Sequence, residues 1–183
     1  MSLTHRLATL EDIPALAALM TLAIGDLQRG FLTDDQIAAS RKLMGLDSQL
    51  IEDRTYFRVE ADGRLAGCGG WSARATLYGG DHSPGRDAHG LNPATDAARV
   101  RAMYTHPDFA RRGVGRLILS LCEAAAREAG FARVELAGTL AGQPLYEACG
   151  YTVLEHLVDD RGGAPVPLLR MGKELQGSPK NPP

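Results

Sequence analysis

Long apolar runs are missing from this chain. None approaches the roughly 18 residues that a bilayer-spanning helix needs, so no membrane partner is expected. The opening MSLTHRLATLED lacks the charged and apolar regions of a secretory signal, which makes a cytoplasmic location the expectation. Cysteine is scarce: Cys68, Cys122 and Cys149 are widely spaced and form no C-x-x-C pair. A zinc ribbon or redox dithiol is thereby excluded, and reduced thiols, two of them in the core, are expected. A strong charge of either sign is absent as well. The formal net charge is −2, so no global field draws the protein to nucleic acid, and any anion site must be local. Internal repeats at solenoid periods are also absent. What is there is ordinary for a globular protein, 44% hydrophobic and 23% charged residues in 183. That length supports one domain, expected over residues 1–175, with the breaker-rich QGSPKNPP (176–183) as a flexible C-terminal tail.

Periodicity orders the chain. A short strand is expected at His5–Ala8. TLEDIPALAALM (9–20) then reads as a helix with Thr9 as N-cap and Asp12 three residues on. A second helix begins at Thr33, with carboxylates in its first turn. TYFRVEADGRLAGCGGWSA alternates around Asp62-Gly63, the signature of a hairpin. Residues 76–97, dense in Gly, Pro, Asp and His, read as a long loop, and such loops are usually functional or mobile. Strand Ala98–Thr105, a helix and strand Arg133–Ala137 follow, with room for a crossover and hence a parallel pair. Pro144–Cys149 is a short helix stopped by Gly150, and the final strands are Tyr151–Val158 and Val166–Lys173.

The chemistry points to DFARRGVGR. Leu117, Ile118, Leu121, Cys122, Ala125 and Ala129 recur at helical spacing, and the first turn of that helix is Arg111, Arg112, Gly113, Val114, Gly115 and Arg116. A helix start leaves bare N–H groups with partial positive charge. Here cationic side chains surround them, and glycines remove the Cβ atoms that would keep a phosphate away. A pyrophosphate fits this pattern; the bland alternative is a solvated basic turn. Neither a Walker loop nor a dinucleotide fingerprint matches the same residues.

MYTHPDFARRGVGR (103–116) and TLAGQPLYEACGY (139–151) together resemble the Gcn5-related N-acetyltransferase (GNAT) family. Its motifs are [QR]-x-x-G-x-[GA] and N-x-x-A-x-x-L-Y-E-x-x-G-[FY]. Ala110 stands at the [QR] position, Thr139 replaces the Asn and Gly142 replaces the Ala, while LYE and GY are intact. The resemblance implies an α/β acyl-CoA N-acyltransferase fold, a mixed, mostly antiparallel sheet of six or seven strands with about four helices. It implies acetyl-CoA as co-substrate and an amine as acceptor. The pyrophosphate would lie on Arg111–Arg116, with Thr139 nearby. N–H groups near Met103, Tyr104 and Thr105 would hold the acetyl carbonyl, and Tyr146 would protonate the departing thiolate.

Two functions stay open on these grounds, a transferase and a catalytically weak acyl-CoA sensor. Glu60, Glu135, Asp81, His82, Asp87 and His89 are candidate bases, and no spacing selects one. The loop histidines and aspartates match no zinc pattern. Leu77, Tyr78 and Trp71 are candidates for an acceptor pocket under a mobile lid, with Trp71 and Met103 as plain core residues the alternative. Arg99 and Arg101 share a strand face and fit either an acidic acceptor or an ion pair with Glu135. A symmetric dimer is the default assembly, and no aromatic residues interleave with the arginines as a nucleic-acid surface would need.

Overall fold

The computed structural model describes residues 1–175, so the tail expected at 176–183 lies outside the described residues. Alternating side chains in TYFRVEADGRLAG fold into strands β2 (Tyr56–Ala61) and β3 (Arg64–Ser72), turned at Asp62 and Gly63 with φ of 49° and 79°. Strands β1 (Leu3–Leu7), β4 (Ala98–Thr105), β5 (Arg133–Gly138), β6 (Thr152–Asp159) and β7 (Val166–Glu174) complete one seven-stranded sheet ordered β1-β2-β3-β4-β5-β7-β6. Every neighbouring pair is antiparallel except β4–β5, which is parallel because a helix, α4 (Val114–Glu128), crosses between them. The expected mixed, mostly antiparallel α/β architecture is therefore found.

Two elements depart from the sequence reading. The helix expected from Thr9 opens as a single 3-10 turn, Leu10–Asp12, and α1 runs from Ile13 to Asp26 rather than ending at Met20. Its apolar stripe simply continues through Ala23 and Ile24, both buried. The Thr9–Asp12 capping box is present, and Asp12 also accepts from Arg6 (2.8 Å) and Arg58 (2.5 Å). The two guanidiniums hold its carboxyl well below the usual carboxylate range. Helix α2 (Asp34–Leu43) starts as expected behind Thr33, and then comes the unexpected α3 (Ser48–Glu52). Five residues are too few to show a helical period. Helix α5 (Gln143–Ala148) is the short helix before Gly150.

Two layers cover the sheet. On one face α4 lies close against β3: a Cβ on Gly67 would stand 2.5 Å from Val114 Cγ1, and one on Gly69 2.6 Å from Ile118 Cγ2. Val114, Ile118, Leu119 and Cys122 thereby join Val59, Val100 and Val134 in the main core. On the other face Leu16, Leu19 and Met20 of α1 pack with Leu50 and Ile51 of α3 around Tyr56 and Cys68. Cys68 and Cys122 are buried free thiols and Cys149 is half-buried, as expected. Among the described residues no helix is long and apolar enough to cross a membrane.

Candidate active site

The parallel pair β4–β5 is joined at only two positions, Ala98↔Val134 and Arg99↔Glu135. An ion pair closes this end: Arg99 Nη1 lies 2.8 Å from Glu135 Oε2, which Arg170 Nε also reaches at 3.0 Å. Of the two readings for Arg99, the cross-strand pair is the one found. Beyond it the strands part. β4 keeps its partner β3 through Tyr104 and Thr105, with a bulge where Ala102 adopts a φ of 49° and its carbonyl accepts from Tyr56 Oη at 2.7 Å. The edge of β4 that faces β5 is left without a ladder, and a cavity of about 680 Å³ opens there.

One end of that cavity is polar. Met103, Tyr104, Thr105, Arg111, Gly113, Val114, Gly115, Arg116 and Thr139 all line it; Arg112 is exposed and stands outside the lining. The first bond to reach back in α4 runs from Leu117 N to Gly113 O at 3.0 Å, so the N–H groups of residues 113–116 have no intrahelical partner. Gly113 serves as N-cap in the left-handed region, at φ 87°, and a Cβ there would meet nothing within 4 Å. The residues therefore fit a diphosphate: bare donors, open space in front of them and the Arg111 and Arg116 side chains beside them.

Tyr146 sits mid-cavity on α5. Its ring occupies space that two glycines leave clear, since a Cβ on Gly138 or Gly142 would come within 2.6 or 2.7 Å of Cε2. Tyr151 packs on it edge to face at 6.1 Å. The ring is buried, and no hydrogen bond to its hydroxyl is found among the described residues. Burial, with the nearby Cys149 thiol, pushes the phenol up to about 12, so it stays protonated at any physiological pH.

The other end is apolar and comes from parts of the chain that the motifs do not mark. Ile24 of α1, Leu27 and Phe31 after it, Leu43 of α2, Leu77 and Leu168 form its wall, with Tyr78, Met44 and Gln28 among them. Leu77 and Tyr78 were sequence candidates. Trp71 is not in the lining and packs instead on Phe131 at 6.1 Å. Met103 both packs against the main core and lines the cavity. The Tyr104 side chain was missed too: its hydroxyl accepts from Gly45 N–H at 3.0 Å, bridging β4 to the end of α2. For the α1 part of this wall, the apolar stripe that continues through Ile24 is the signal the sequence holds. Of the candidate bases, Glu60 pairs with Arg58, Glu135 with Arg99, and Asp87 with His89, while Asp81 accepts from Ser48 N–H. None of the six candidates lines the cavity. No described cluster of His, Cys, Asp and Glu could hold a metal.

Residues 76–97 are braced rather than free to swing. Arg101, 3% exposed, donates to Thr76 O (3.1 Å), Gly79 O (2.7 Å) and the buried Asp47 (2.8 Å), which Arg86 also reaches at 2.6 Å. Arg101 therefore has its donors engaged by protein, which leaves no free cation there for an acidic acceptor. At the far side Tyr78 Oη donates to Asp159 (2.9 Å), and Arg161 Nη1 donates to Pro84 O (2.8 Å). Arg161 holds the Asp159 carboxyl down to about 2. A depressed carboxyl stabilises the fold above its unfolded value near 4 and loses that contribution as pH falls toward 2. Between pH 5 and pH 2 the wild type should lose about 1–2 kcal/mol more than Asp159→Asn, after allowing for water at the half-exposed Arg161. Urea midpoints at the two pH values read this out, and equal losses in the two proteins would remove Asp159 from the account.

The sequence model of the acetyltransferase (GNAT) family matches residues 18–151, and the chain belongs to that family. No curated protein sequence matches it. Among solved structures it is similar to a GCN5-related N-acetyltransferase from Rhodopseudomonas palustris, at 17% identity and TM-score 0.71 over 96% of this chain and 97% of that one. YncA from Salmonella typhimurium, solved with its cofactor acetyl-CoA, aligns over 100% of both chains at 18% identity and TM-score 0.63. The PaiA N-acetyltransferase from Thermoplasma acidophilum, in complex with coenzyme A, aligns over 95% of this chain and 99% of that one, at 14% identity and TM-score 0.62.

Proposed function

We propose that this chain moves an acetyl group directly from acetyl-CoA to a primary amine. The observation that carries the reading is the parting of β4 from β5 beyond Arg99, with bare helix N–H groups at one end of the opening and a protonated phenol within it. The N–H groups of residues 113–116, with Arg111, Arg116 and Thr139 around them, hold the diphosphate. Two of the solved structures similar to it carry acetyl-CoA or coenzyme A, which supports the same class of ligand here. The unpaired edge of β4 offers backbone groups to the pantetheine amides, as a strand edge does to an added strand. N–H groups at Met103–Thr105 take the thioester carbonyl oxygen and the negative charge that gathers on it, a role worth about 3 kcal/mol per donor.

The amine nitrogen forms a bond to the carbonyl carbon and the carbon–sulfur bond breaks. Tyr146 gives its proton to the departing sulfur, and its phenolate recovers a proton from the new nitrogen, so the products are an amide and a thiol. Isothermal calorimetry with coenzyme A, followed by thiol release from acetyl-CoA in the presence of amines, tests the reading. Micromolar binding with amine-dependent thiol release is expected. Binding with no release from any amine would favour the acyl-CoA sensor, which the absence of Asp, Glu and His from the described cavity lining keeps in play. No binding would overturn both.

A further inference from the structure

Three large apolar side chains of the cavity wall stand apart from the core. Leu27 and Phe31, both just past α1, and Leu77, in the loop after β3, line the apolar end, and none of them belongs to any of the three described core clusters. Phe31 is 52% exposed, while Leu27 and Leu77 are half-buried. The buried Ile24, Leu43 and Leu168 complete the same wall. Apolar surface gathered in a concave site and left open to water marks a place where an apolar ligand is received. The polar groups among these residues are already engaged. Tyr78 Oη donates to Asp159 at 2.9 Å, the Tyr104 oxygen accepts from Gly45 N–H at 3.0 Å, and the buried Gln28 gives its Nε2 to Ile24 O at 3.3 Å. Charge in the described lining has one sign, since Arg101, Arg111 and Arg116 line it and no carboxylate does. Arg101 is taken up by Asp47, Thr76 O and Gly79 O, and the other two stand beside the start of α4. A second ammonium at the apolar end therefore finds no counter-charge, and a carboxylate finds no free cation.

Resting on the acetyltransferase reading, we propose that the acceptor is an apolar monoamine with no charge besides the reacting nitrogen, its body seated on Leu27, Phe31 and Leu77. Each methylene laid against this wall leaves water, so preference grows with the length of the apolar body until the wall is covered. Polyamines and amino acids are disfavoured for the same reason from opposite signs, because their second charge is desolvated without a partner. Phe31 is the residue that sets this choice at the rim, and it touches none of the groups that hold coenzyme A on the proposed reading.

Butylamine, hexylamine, 1,6-diaminohexane and 6-aminohexanoate serve as probes, the last three being alike in length. Their binding to the coenzyme A complex is read by calorimetry and their turnover by thiol release from acetyl-CoA. In the wild type hexylamine should bind and react about tenfold better than butylamine, the range of two buried methylenes, and about tenfold or more better than either charged analogue. Phe31→Ala should cut the gain from butylamine to hexylamine to about threefold or less, by removing part of the wall. Leu77→Glu should raise 1,6-diaminohexane above hexylamine, by supplying the missing carboxylate. Both positions are at least partly open to solvent, and thermal melting checks that each variant folds. Thiol release with a charged analogue ahead of hexylamine, with no gain for the longer chain, or with the same gain in Phe31→Ala as in the wild type would overturn the apolar seat and leave acetyl transfer standing. Failure of all four probes to bind would overturn the seat too. Phe31-dependent binding of hexylamine without thiol release would support the seat and overturn the transferase reading.

Discussion

Tyr146→Phe should lower kcat at least tenfold and up to about 10³-fold, while coenzyme A binds as in the wild type. The two halves of this expectation rest on separate features. On the proposed reading, coenzyme A affinity comes from the start of α4 and the edge of β4, where the Tyr146 hydroxyl takes no part. Turnover needs a proton for the departing sulfur, and Tyr146 is a cavity phenol whose hydroxyl has no protein partner among the described residues. Tyr78 and Tyr104 are the other phenols in the described lining; the Tyr78 hydroxyl already donates to Asp159, and the Tyr104 oxygen already accepts the Gly45 N–H. Tyr104→Phe should therefore cost less in kcat than Tyr146→Phe. The pH profile separates a proton donor from a packing residue. With no Asp, Glu or His among the described lining, an amine near pKa 10.4 must arrive deprotonated, so kcat/KM should climb about tenfold per pH unit below pH 10. The Tyr146 proton, held up to about 12, imposes no descending limb in that range. Steady-state kinetics across pH 6–10 with both variants decides this, and an unchanged kcat in Tyr146→Phe would remove the residue from the mechanism.

Asp47→Ala should destabilise the protein by about 3–5 kcal/mol, a fall of about 10 °C in Tm for a chain of this size. Asp47 and Arg101 are 2% and 3% exposed, and burial, with the nearby Arg86 charge, pulls the Arg101 guanidinium below its ordinary value even with Asp47 beside it. Without the carboxylate, Arg101 stays buried with only the Thr76 and Gly79 carbonyls for company, and Arg86 loses its inward partner. Asp47 also caps α3 by accepting from Gln49 N–H at 3.2 Å, a further contribution of about 1 kcal/mol. Asp47→Ala/Arg101→Met should recover part of the loss, because removing both charges leaves none uncompensated. Urea unfolding of the single and double variants measures this, and additive losses would mean that the two residues do not act as a pair.

Local patterns carried most of the fold and half of the site. The hairpin at Asp62-Gly63, the β4–α4–β5 crossover and the glycine-lined start of α4 each depend on residues a few positions apart, so their periodicity and turn chemistry are visible in one dimension. What escaped depends on contacts between distant segments. Tyr104 meets Gly45 across 59 residues, and Arg101 meets Asp47 across 54. Nothing near either partner announces the other. The composition of 76–97 suggested a mobile lid, yet Arg86, Arg101 and Arg161 pin it by bonds that composition cannot reveal.

One wall of the cleft is drawn from residues 100–148, whereas the opposite wall comes from residues 23–45, 77–79 and 168. On the acetyltransferase reading, exchanging the segment from Ala23 to Phe31 should rewrite which amine is chosen without disturbing how the activated acyl group is gripped. A graft of that stretch from a relative with different selectivity would carry the preference across while the affinity for coenzyme A stays put.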